Sequence, residues 1–577
     1  MNNAADINVT FNQSAANINL LWASLFVEEL VRNHIIDFCI APGSRSTPLT
    51  LAVAARTDVD THLHFDERGL GFLALGIALA KKKPVVIITT SGTAVANLYP
   101  AIIEARQSQI PLIVLSADRP PELIDCGANQ AINQYGIFAN YPVFFKQIPS
   151  PSMQLAPNYL LTTINQGLAH QVNSPAPIHF NLAFPEPLYP GNAMIDYHEY
   201  LMPLKKWLVN RSPFTLYQRG MEQRVANMGD QLKNKKTLII IGRLTSSGDT
   251  QAIIKFAQEH HFPVINDIQS SLCGEYYPLN YYDLLLTNPN FKRLLTQVDV
   301  ILQFGDKLIS KRLSQFIAQF EGEYWLIEPG EQCIDPNRNL TQRFNCPATQ
   351  WINSQLINPI DPSWRVALAK YNRLIEERII EPFINNNELS EINVVNSLDK
   401  TIDNMALFIG NSMPIRLCDM FMRKNKSTIY SNRGASGIDG LIATAIGVAK
   451  MSQHPTTLLI GDTSFLYDLN SLALVKQLNH PFIIIVINND GGSIFNLLPV
   501  PEQQKRDFYQ LPHGLNFTQI SQQFGIDYYR PNQLDEFKAN YQKATKKTLS
   551  LIEVCTKHNQ TKTQLAQLIE QIQHATF

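Results

Sequence analysis

The 577-residue sequence predicts an α/β protein of three doubly wound domains with mainly parallel sheets. Three observations carry that expectation. Short runs rich in Val, Ile, Leu and Phe alternate with helical patterns along the chain, the arrangement of repeated βα units. The chain is too long for one hydrophobic core, so the alternation must be shared among several. Pro-rich passages at 184–190 and 359–362 interrupt it. The first closes block 1–190 and the second opens a connector that ends block 191–385, so that the third block is 386–577.

In the first block, strands are expected at 36–40, 85–90, 112–116 and 178–182, where apolar or β-branched residues run together. Helices are expected between them at 19–33, 69–81 and 94–108. In the middle block the corresponding strands are 237–241, 264–266, 298–304 and 324–327. A long helical connector at 358–384 follows, opened by Pro359 and Pro362. The third block begins near Glu388 and repeats the pattern at 406–409, 428–431, 457–460, 482–487 and 550–554.

Composition narrows the functional classes. Net charge is −1, and no basic block is longer than Lys81-Lys82-Lys83. A nucleic-acid or membrane-surface role is therefore disfavoured. Charged residues make up 17% of the chain, below the roughly 25% of an average globular protein, so Asn, Gln, Ser and Thr must carry much of the polar surface. The seven cysteines (Cys39, Cys126, Cys273, Cys333, Cys346, Cys418, Cys555) form no C-x-x-C pair. Reduced thiols in a soluble cytoplasmic protein are expected from that scatter, from the polar N-terminus and from the lack of any long apolar run.

The most informative stretch is 458–498. It reads strand, Gly461-Asp462, helix, strand, Asn488-Asn489, then Gly491-Gly492. Asp462 and Asn489 are separated by 26 residues, enough for one crossover helix and the returning strand. In an open α/β sheet such strand-end residues meet in one crevice. Both motifs also form ordinary turns. The apolar strands on either side and the glycine pair after the amide favour a site for a hard cation, held by Asp462, Asn489 and the Gly491 carbonyl.

Other strand-end loops carry polar residues of a matching kind. Ser44 and Arg45 lie in the loop after the first strand, and Thr90 opens the loop after the next. Small hydroxyl and glycine residues there suit close approach of an anion to backbone N–H groups. Glu67 opens a helix that is almost wholly apolar, so its carboxyl group is expected in a low-dielectric setting with a raised pKa. That is what an acid sharing a proton with a heterocyclic nitrogen requires. Arg119, Asn129 and Gln130 follow another strand, as do Lys311 and Arg312 in the middle block and Ser412, Arg416 and Arg433 in the third. One arginine is usually a solvated charge. Several after strand ends in different blocks fit a shared site for carboxylates. Ile438, Ile494, Phe495 and Leu498 adjoin glycines in loops, where they could pack in the core or wall a water-excluding pocket.

With these residues in view, the chain resembles the thiamine-diphosphate enzymes, and more narrowly the carboligases of menaquinone biosynthesis. The stretches IAPGSRSTPLT, HFDERGLG, TSGTAVANLYPA, ADRPPELIDCGANQAI, YSNRGASGIDG and NNDGGSIFNLLP carry the narrower resemblance, which runs essentially end to end. Thr463 stands where many of the superfamily have glycine, at a position that is not itself a ligand. The resemblance implies a thiamine-diphosphate-binding fold with a pyrimidine-binding N-terminal domain, a central domain and a diphosphate-binding C-terminal domain. It implies Mg²⁺, or Mn²⁺, as the metal, 2-oxoglutarate and isochorismate as substrates, and a homodimer or dimer of dimers. Glu67 would then serve the aminopyrimidine, Ile438 would brace the cofactor, and Thr90 and Gly461 would flank it. Ser412, Arg416 and Arg433 would face the oxoglutarate side. Ser44, Arg45, Arg119, Asn129, Gln130, Lys311 and Arg312 would face isochorismate, with Ile494, Phe495 and Leu498 as the wall. So many cations argue against an acetolactate-synthase-like enzyme, because pyruvate carries a single carboxylate.

Overall fold

A computed structural model of the chain describes residues 11–218, 225–244, 247–270, 279–402, 404–423 and 427–576. The polar stretch 1–10 and Cys273 lie outside them. The chain divides into two compact units, Met1–Met221 with Ile446–Met451, and Glu222–Ala445 with Ser452–Phe577.

The first unit is built on a six-stranded parallel sheet. Its spatial order is Asp60–Leu63, Asp37–Ile40, Val85–Thr89, Leu112–Asp118, Ile178–Ala183, Phe144–Ile148. Counted along the chain, that is second, first, third, fourth, sixth, fifth. The central strands are fully buried, so they read as continuous apolar runs rather than as alternating ones.

The second unit holds two further parallel sheets. One, of five strands, is ordered Val264–Asn266, Thr237–Ile241, Val300–Phe304, Glu323–Ile327, Gln342–Phe344. The other, of six, is ordered Thr428–Tyr430, Ala406–Ile409, Thr456–Gly461, Phe482–Asn488, Leu549–Cys555, Asp527–Tyr529. The latter repeats the winding of the first unit's sheet strand for strand. The expected α/β class with three parallel sheets is what the structure has.

Every expected strand is present, with ends shifted by a few residues at most. Among the described residues six strands were not expected: Ser14–Ala15 and Ile195–Asp196, which pair antiparallel as a two-stranded sheet, and Asp60–Leu63, Phe144–Ile148, Gln342–Phe344 and Asp527–Tyr529. All are edge strands, and their residues are mostly half-buried or exposed. An edge strand with one open side carries no apolar run to find. The helix expected at 94–108 is two, Thr93–Ala96 and Tyr99–Ser108, because Pro100 fits a helix's first turn but not its interior. The connector begins at Ser363 rather than 358 and runs to Ile384, with one wider turn at Glu376–Ile380.

Within the second unit the two sheets share one apolar core, with Leu238 and Ile301 of one and Leu407 and Ile485 of the other in the same cluster. A buried polar contact crosses between them. Asp419, on the helix Met413–Phe421, accepts the Ile268 N–H at 2.9 Å and the Tyr282 hydroxyl at 2.7 Å. Burial, and then the nearby Asp267 carboxylate, push the Asp419 carboxyl well above its ordinary range. This contact fixes the helix that begins beside Ser412. Among the described residues no helix is long and apolar enough to cross a membrane.

Replacing Asp419 with Ala strands a buried amide and a buried phenol. We expect a loss of about 3 kcal/mol, an order-of-magnitude figure from two unsatisfied groups. Urea denaturation of the variant checks it; an unchanged midpoint would show that the contact does not hold the two sheets.

Candidate active site

In each six-stranded sheet the strand order reverses between the first and third strands, and the loops at their carboxyl ends splay apart there. Arg45 and Thr90 of the first unit and Ser412 and Asp462 of the second follow the strands that meet there, whereas Asn489 follows the fourth strand of its sheet and Arg119 the fourth of its own.

In the second unit, Thr456–Gly461 and Phe482–Asn488 are parallel neighbours, with Gly461 opposite Ile487. Asp462 directly follows Gly461, and Asn489 follows Asn488 at the end of the neighbouring strand, so the two lie one residue out of register and are joined by the Asn489 N–H. The Asp462 carboxylate accepts N–H groups from Asn489 at 3.1 Å and Gly491 at 2.9 Å through Oδ2, and from Thr463 at 2.6 Å through Oδ1. Asn489 donates through Nδ2 to Glu391 Oε1 at 3.1 Å. Its Oδ1 is buried and has no hydrogen-bond partner among the described residues. An unpaired amide oxygen next to a carboxylate is a donor set that suits a hard divalent cation, so these residues fit the metal expected from the sequence. Gly491 has φ +118°, and a Cβ there would lie 2.1 Å from the Gln510 carbonyl oxygen, so only glycine closes this loop.

Two neighbours of this corner were missed from sequence. Burial raises the Glu391 carboxyl above its ordinary value against the lowering effect of the Asn489 hydrogen bond, and the Asp462 charge adds to the rise. His513 brings Nε2 to 3.3 Å from Asp462 Oδ2, while its Nδ1 accepts the Leu515 N–H at 3.0 Å. With Nδ1 accepting, the neutral ring carries its proton on Nε2, facing the carboxylate.

The loop after Ala406–Ile409 holds the strand-end cations. Ser412 has φ 73° and ψ −130°, a conformation that non-glycine residues rarely adopt and that marks stored strain at functional sites. Buried Asn411 organises the surroundings. Its Nδ2 donates to the carbonyls of Asn432 at 2.8 Å and Gly437 at 2.6 Å, and its Oδ1 accepts from Arg433 Nη1 at 3.1 Å. Arg416 Nη1 donates to the Ser412 carbonyl at 2.6 Å. Burial, then the like charge of Arg433, lower the Arg416 pKa, so two guanidinium groups stand close enough to repel. An anion between them would relieve that. From the five-stranded sheet, Lys307 Nζ donates to the Gly434 carbonyl at 2.6 Å and steadies the same loop.

Ile438 is half-buried in that loop. Ile494 and Phe495 are half-buried, with the Phe495 ring 5.5 Å from that of Tyr509, whereas Leu498 is exposed. Lys311 is exposed at the first position of the helix Lys311–Ala318. Arg312 forms an ion pair with Asp283, which also accepts from the Ser310 hydroxyl. It is the cation in the set most committed to a partner in its own unit.

In the first unit, Gly43 and Thr90 meet where the strand order reverses, and a Cβ on Gly43 would sit 2.3 Å from the Thr90 Cβ. Arg45 is buried, donating to the Phe184 carbonyl at 2.8 Å with Glu186 at 3.2 Å, and its Nε has no partner among the described residues. Arg119 donates to the Gln130 carbonyl at 2.7 Å and to the Ser91 hydroxyl. Burial and then Arg45 lower its pKa, a second instance of paired guanidiniums. Gln130 Nε2 returns a bond to the Ser91 carbonyl at 2.9 Å. Ser44 and Asn129 are exposed, and the Ser44 hydroxyl lies 2.7 Å from that of Tyr189. Ser46, which could have capped the following helix, instead donates to the Gly43 carbonyl.

Glu67 is the first residue of the helix Glu67–Lys81, but its cap is Asp66, which accepts N–H groups from Arg68 and Gly69. Capping therefore does not explain Glu67. The helix is buried from Gly69 to Ala78, as its composition indicated. Glu67 itself is half-buried, so within this unit the carboxyl is less enclosed than expected. It belongs to the first unit, whereas Asp462, Asn489 and Gly491 belong to the second.

Comparison with known proteins follows this division. Residues 22–137 match the thiamine pyrophosphate enzyme N-terminal TPP-binding domain, 198–409 the middle domain of thiamine pyrophosphate enzymes, and 412–554 the C-terminal TPP-binding domain. The chain is 60% identical over 572 residues to 2-succinyl-5-enolpyruvyl-6-hydroxy-3-cyclohexene-1-carboxylate synthase of Psychromonas ingrahamii, covering 98% of each chain. It is 44% identical to the protein of that name from Shewanella baltica, covering 96% of this chain and 98% of the relative. Identity to the Aeromonas salmonicida protein of that name is also 44%, covering 93% and 94%.

Gly491→Ala should push the Gln510 carbonyl away and disturb the Asp462 corner. We expect divalent-metal affinity to fall by at least about tenfold, the scale seen when groups supporting a metal site are changed. Titration calorimetry measures it, and wild-type affinity would refute the close-approach argument.

Proposed function

Because the chain belongs to the 2-succinyl-5-enolpyruvyl-6-hydroxy-3-cyclohexene-1-carboxylate synthase family of thiamine-diphosphate enzymes, we propose that it joins 2-oxoglutarate to isochorismate in menaquinone biosynthesis. The bond from the keto carbon of 2-oxoglutarate to its carboxylate breaks and CO₂ leaves. The electron pair left behind forms the new carbon–carbon bond by conjugate (1,4) addition to isochorismate. When bound, thiamine diphosphate supplies the electron sink that this decarboxylation needs. The observation that best supports the substrate class is the pairing of guanidiniums at strand-end loops, Arg416 with Arg433 and Arg45 with Arg119. Two polycarboxylate substrates would neutralise them.

The residues take the following parts. Glu67 holds the proton shared with the pyrimidine ring nitrogen. Asp462, Asn489 and the Gly491 carbonyl would hold Mg²⁺ or Mn²⁺ with the diphosphate, and Thr90 and Gly461 would each contribute to cofactor binding from its own unit. Ile438 braces the cofactor, a positioning role. Ser412, Arg416 and Arg433 bind the oxoglutarate carboxylates. Arg45 and Arg119, with Ser44, Asn129, Gln130, Lys311 and Arg312, face isochorismate, and Arg312 must share its charge with Asp283. Ile494, Phe495 and Leu498 keep water from the reacting carbon.

This reading divides the chain into a pyrimidine domain at 1–190, a central domain at 191–385 and a diphosphate domain at 386–577. It also calls for a homodimer, with a dimer of dimers as the larger form. Apolar side chains stand exposed near each half of the site: Leu63 and Phe65 near Glu67, and Phe508, Leu511 and Leu515 near the metal corner. A second copy of the chain would cover them. Among the described residues Cys39, Cys126, Cys333, Cys418 and Cys555 are free thiols, which supports a cytoplasmic location.

The direct test is incubation with thiamine diphosphate, Mg²⁺, 2-oxoglutarate and isochorismate, with mass spectrometry for the adduct. CO₂ release should be faster from 2-oxoglutarate than from pyruvate; the reverse preference would overturn the substrate assignment. Glu67→Gln should lower turnover by about 100-fold or more at saturating cofactor, the scale of a lost acid–base group. Undiminished turnover would remove Glu67 from its role.

A further inference from the structure

Asn489 poses a problem of orientation. The two ends of an amide are alike in shape and opposite in hydrogen-bonding character. One orientation offers a cation an oxygen; the other turns an N–H₂ group toward it. Neighbouring packing alone does not choose between them. A hydrogen-bond acceptor behind the amide does.

Glu391 is that acceptor. It is the first residue of the helix Glu391–Thr401, whose N-cap Ser390 accepts the Asn393 N–H, and it is 3% exposed. Its Oε1 takes the Asn489 Nδ2–H at 3.1 Å, and the other end of the same amide, Oδ1, is buried with no partner among the described residues. A first-turn acid usually serves the helix dipole from the surface. Enclosed and bonded to a strand-end side chain, this one does something more specific. We infer that Glu391 is a positioning residue for the metal: it fixes the Asn489 amide with its oxygen toward the cation.

The inference rests on the reading of Asp462 and Asn489 as metal ligands. It follows the general rule that outer groups orient the ligands of a site and that losing one weakens metal binding by about 10–100-fold. The reasoning is geometric. Glutamine at 391 can still accept through Oε1, leucine cannot accept, and aspartate is one methylene too short to reach.

The experiment measures Mn²⁺ binding by the electron paramagnetic resonance signal of free Mn²⁺, using full-length protein with saturating thiamine diphosphate. Wild type and Glu391→Gln should bind within about threefold of each other. Glu391→Leu and Glu391→Asp should bind about 10–100-fold more weakly while retaining wild-type circular dichroism. If the leucine variant fails to fold, the aspartate variant carries the comparison. Leucine and aspartate variants that bind as tightly as wild type would overturn the proposal and leave the metal assignment standing. A glutamine variant as weak as leucine would also overturn it, by showing that charge rather than orientation matters. Absence of Mn²⁺ binding by the wild type would remove the metal assignment and this inference together.

Discussion

The parallel pairing of Thr456–Gly461 with Phe482–Asn488 is the constraint on which the rest of the second unit's chemistry depends. Register is the reason. With Gly461 opposite Ile487, Asp462 leaves the end of one strand one residue out of register with Asn489, which follows the end of the other, and the Asn489 N–H closes on the Asp462 carboxylate. A slip of one residue would turn one side chain to the other face of the sheet. The apolar residues of Phe482–Asn488 are buried along their whole length, so that slip would expose or misplace a large part of the core. The strength of the core thus becomes the precision of the metal corner. Backbone N–H groups from Asn489 and Gly491 then close on Asp462 and leave little freedom in the loop.

The same device places the strand-end cations. Each six-stranded sheet follows one winding, so each has an equivalent reversal of strand order where loops separate. In the first unit that place holds Gly43, Arg45 and Thr90. In the second it holds Asn411 and Ser412, with Arg416 and Arg433 tied to the loops beside them. Burial, and then the repulsion of guanidiniums held near one another, lower the pKa of Arg416 and of Arg119. Buried amides and carbonyls set their positions, chiefly Asn411 in one unit and the Ser91–Gln130 contacts in the other.

How far this could be read beforehand follows from what leaves a local trace. Central strands such as Val85–Thr89 are buried on both faces and announce themselves as apolar runs. Edge strands such as Gln342–Phe344 are open on one side and do not. Asp462 and Asn489 were legible because one βα unit links them and its length sets their meeting. Glu391 was not. It lies 98 residues before Asn489, and in sequence it is an ordinary acid after a capping serine. For the same reason Asn411 was not singled out, since its partners come from a separate loop. The ion pair between Arg312 and Asp283 likewise joins residues 29 apart that carry no shared motif. Glu67 was found through the apolar helix behind it, but its own exposure depends on what else packs there.

The unpaired Asn489 oxygen has a consequence for the protein's lifetime. Leaving a buried carbonyl without a partner costs about 1–3 kcal/mol, which a ligand that engages it offsets. Any ligand that engages it binds the folded chain and not the unfolded one, and so shifts the folding equilibrium by mass action. The fraction of molecules open to proteases is then governed by the supply of vitamin-derived cofactor and divalent ion as well as by the sequence. In a cell short of either, the enzyme pool would shrink through turnover before any change in its synthesis.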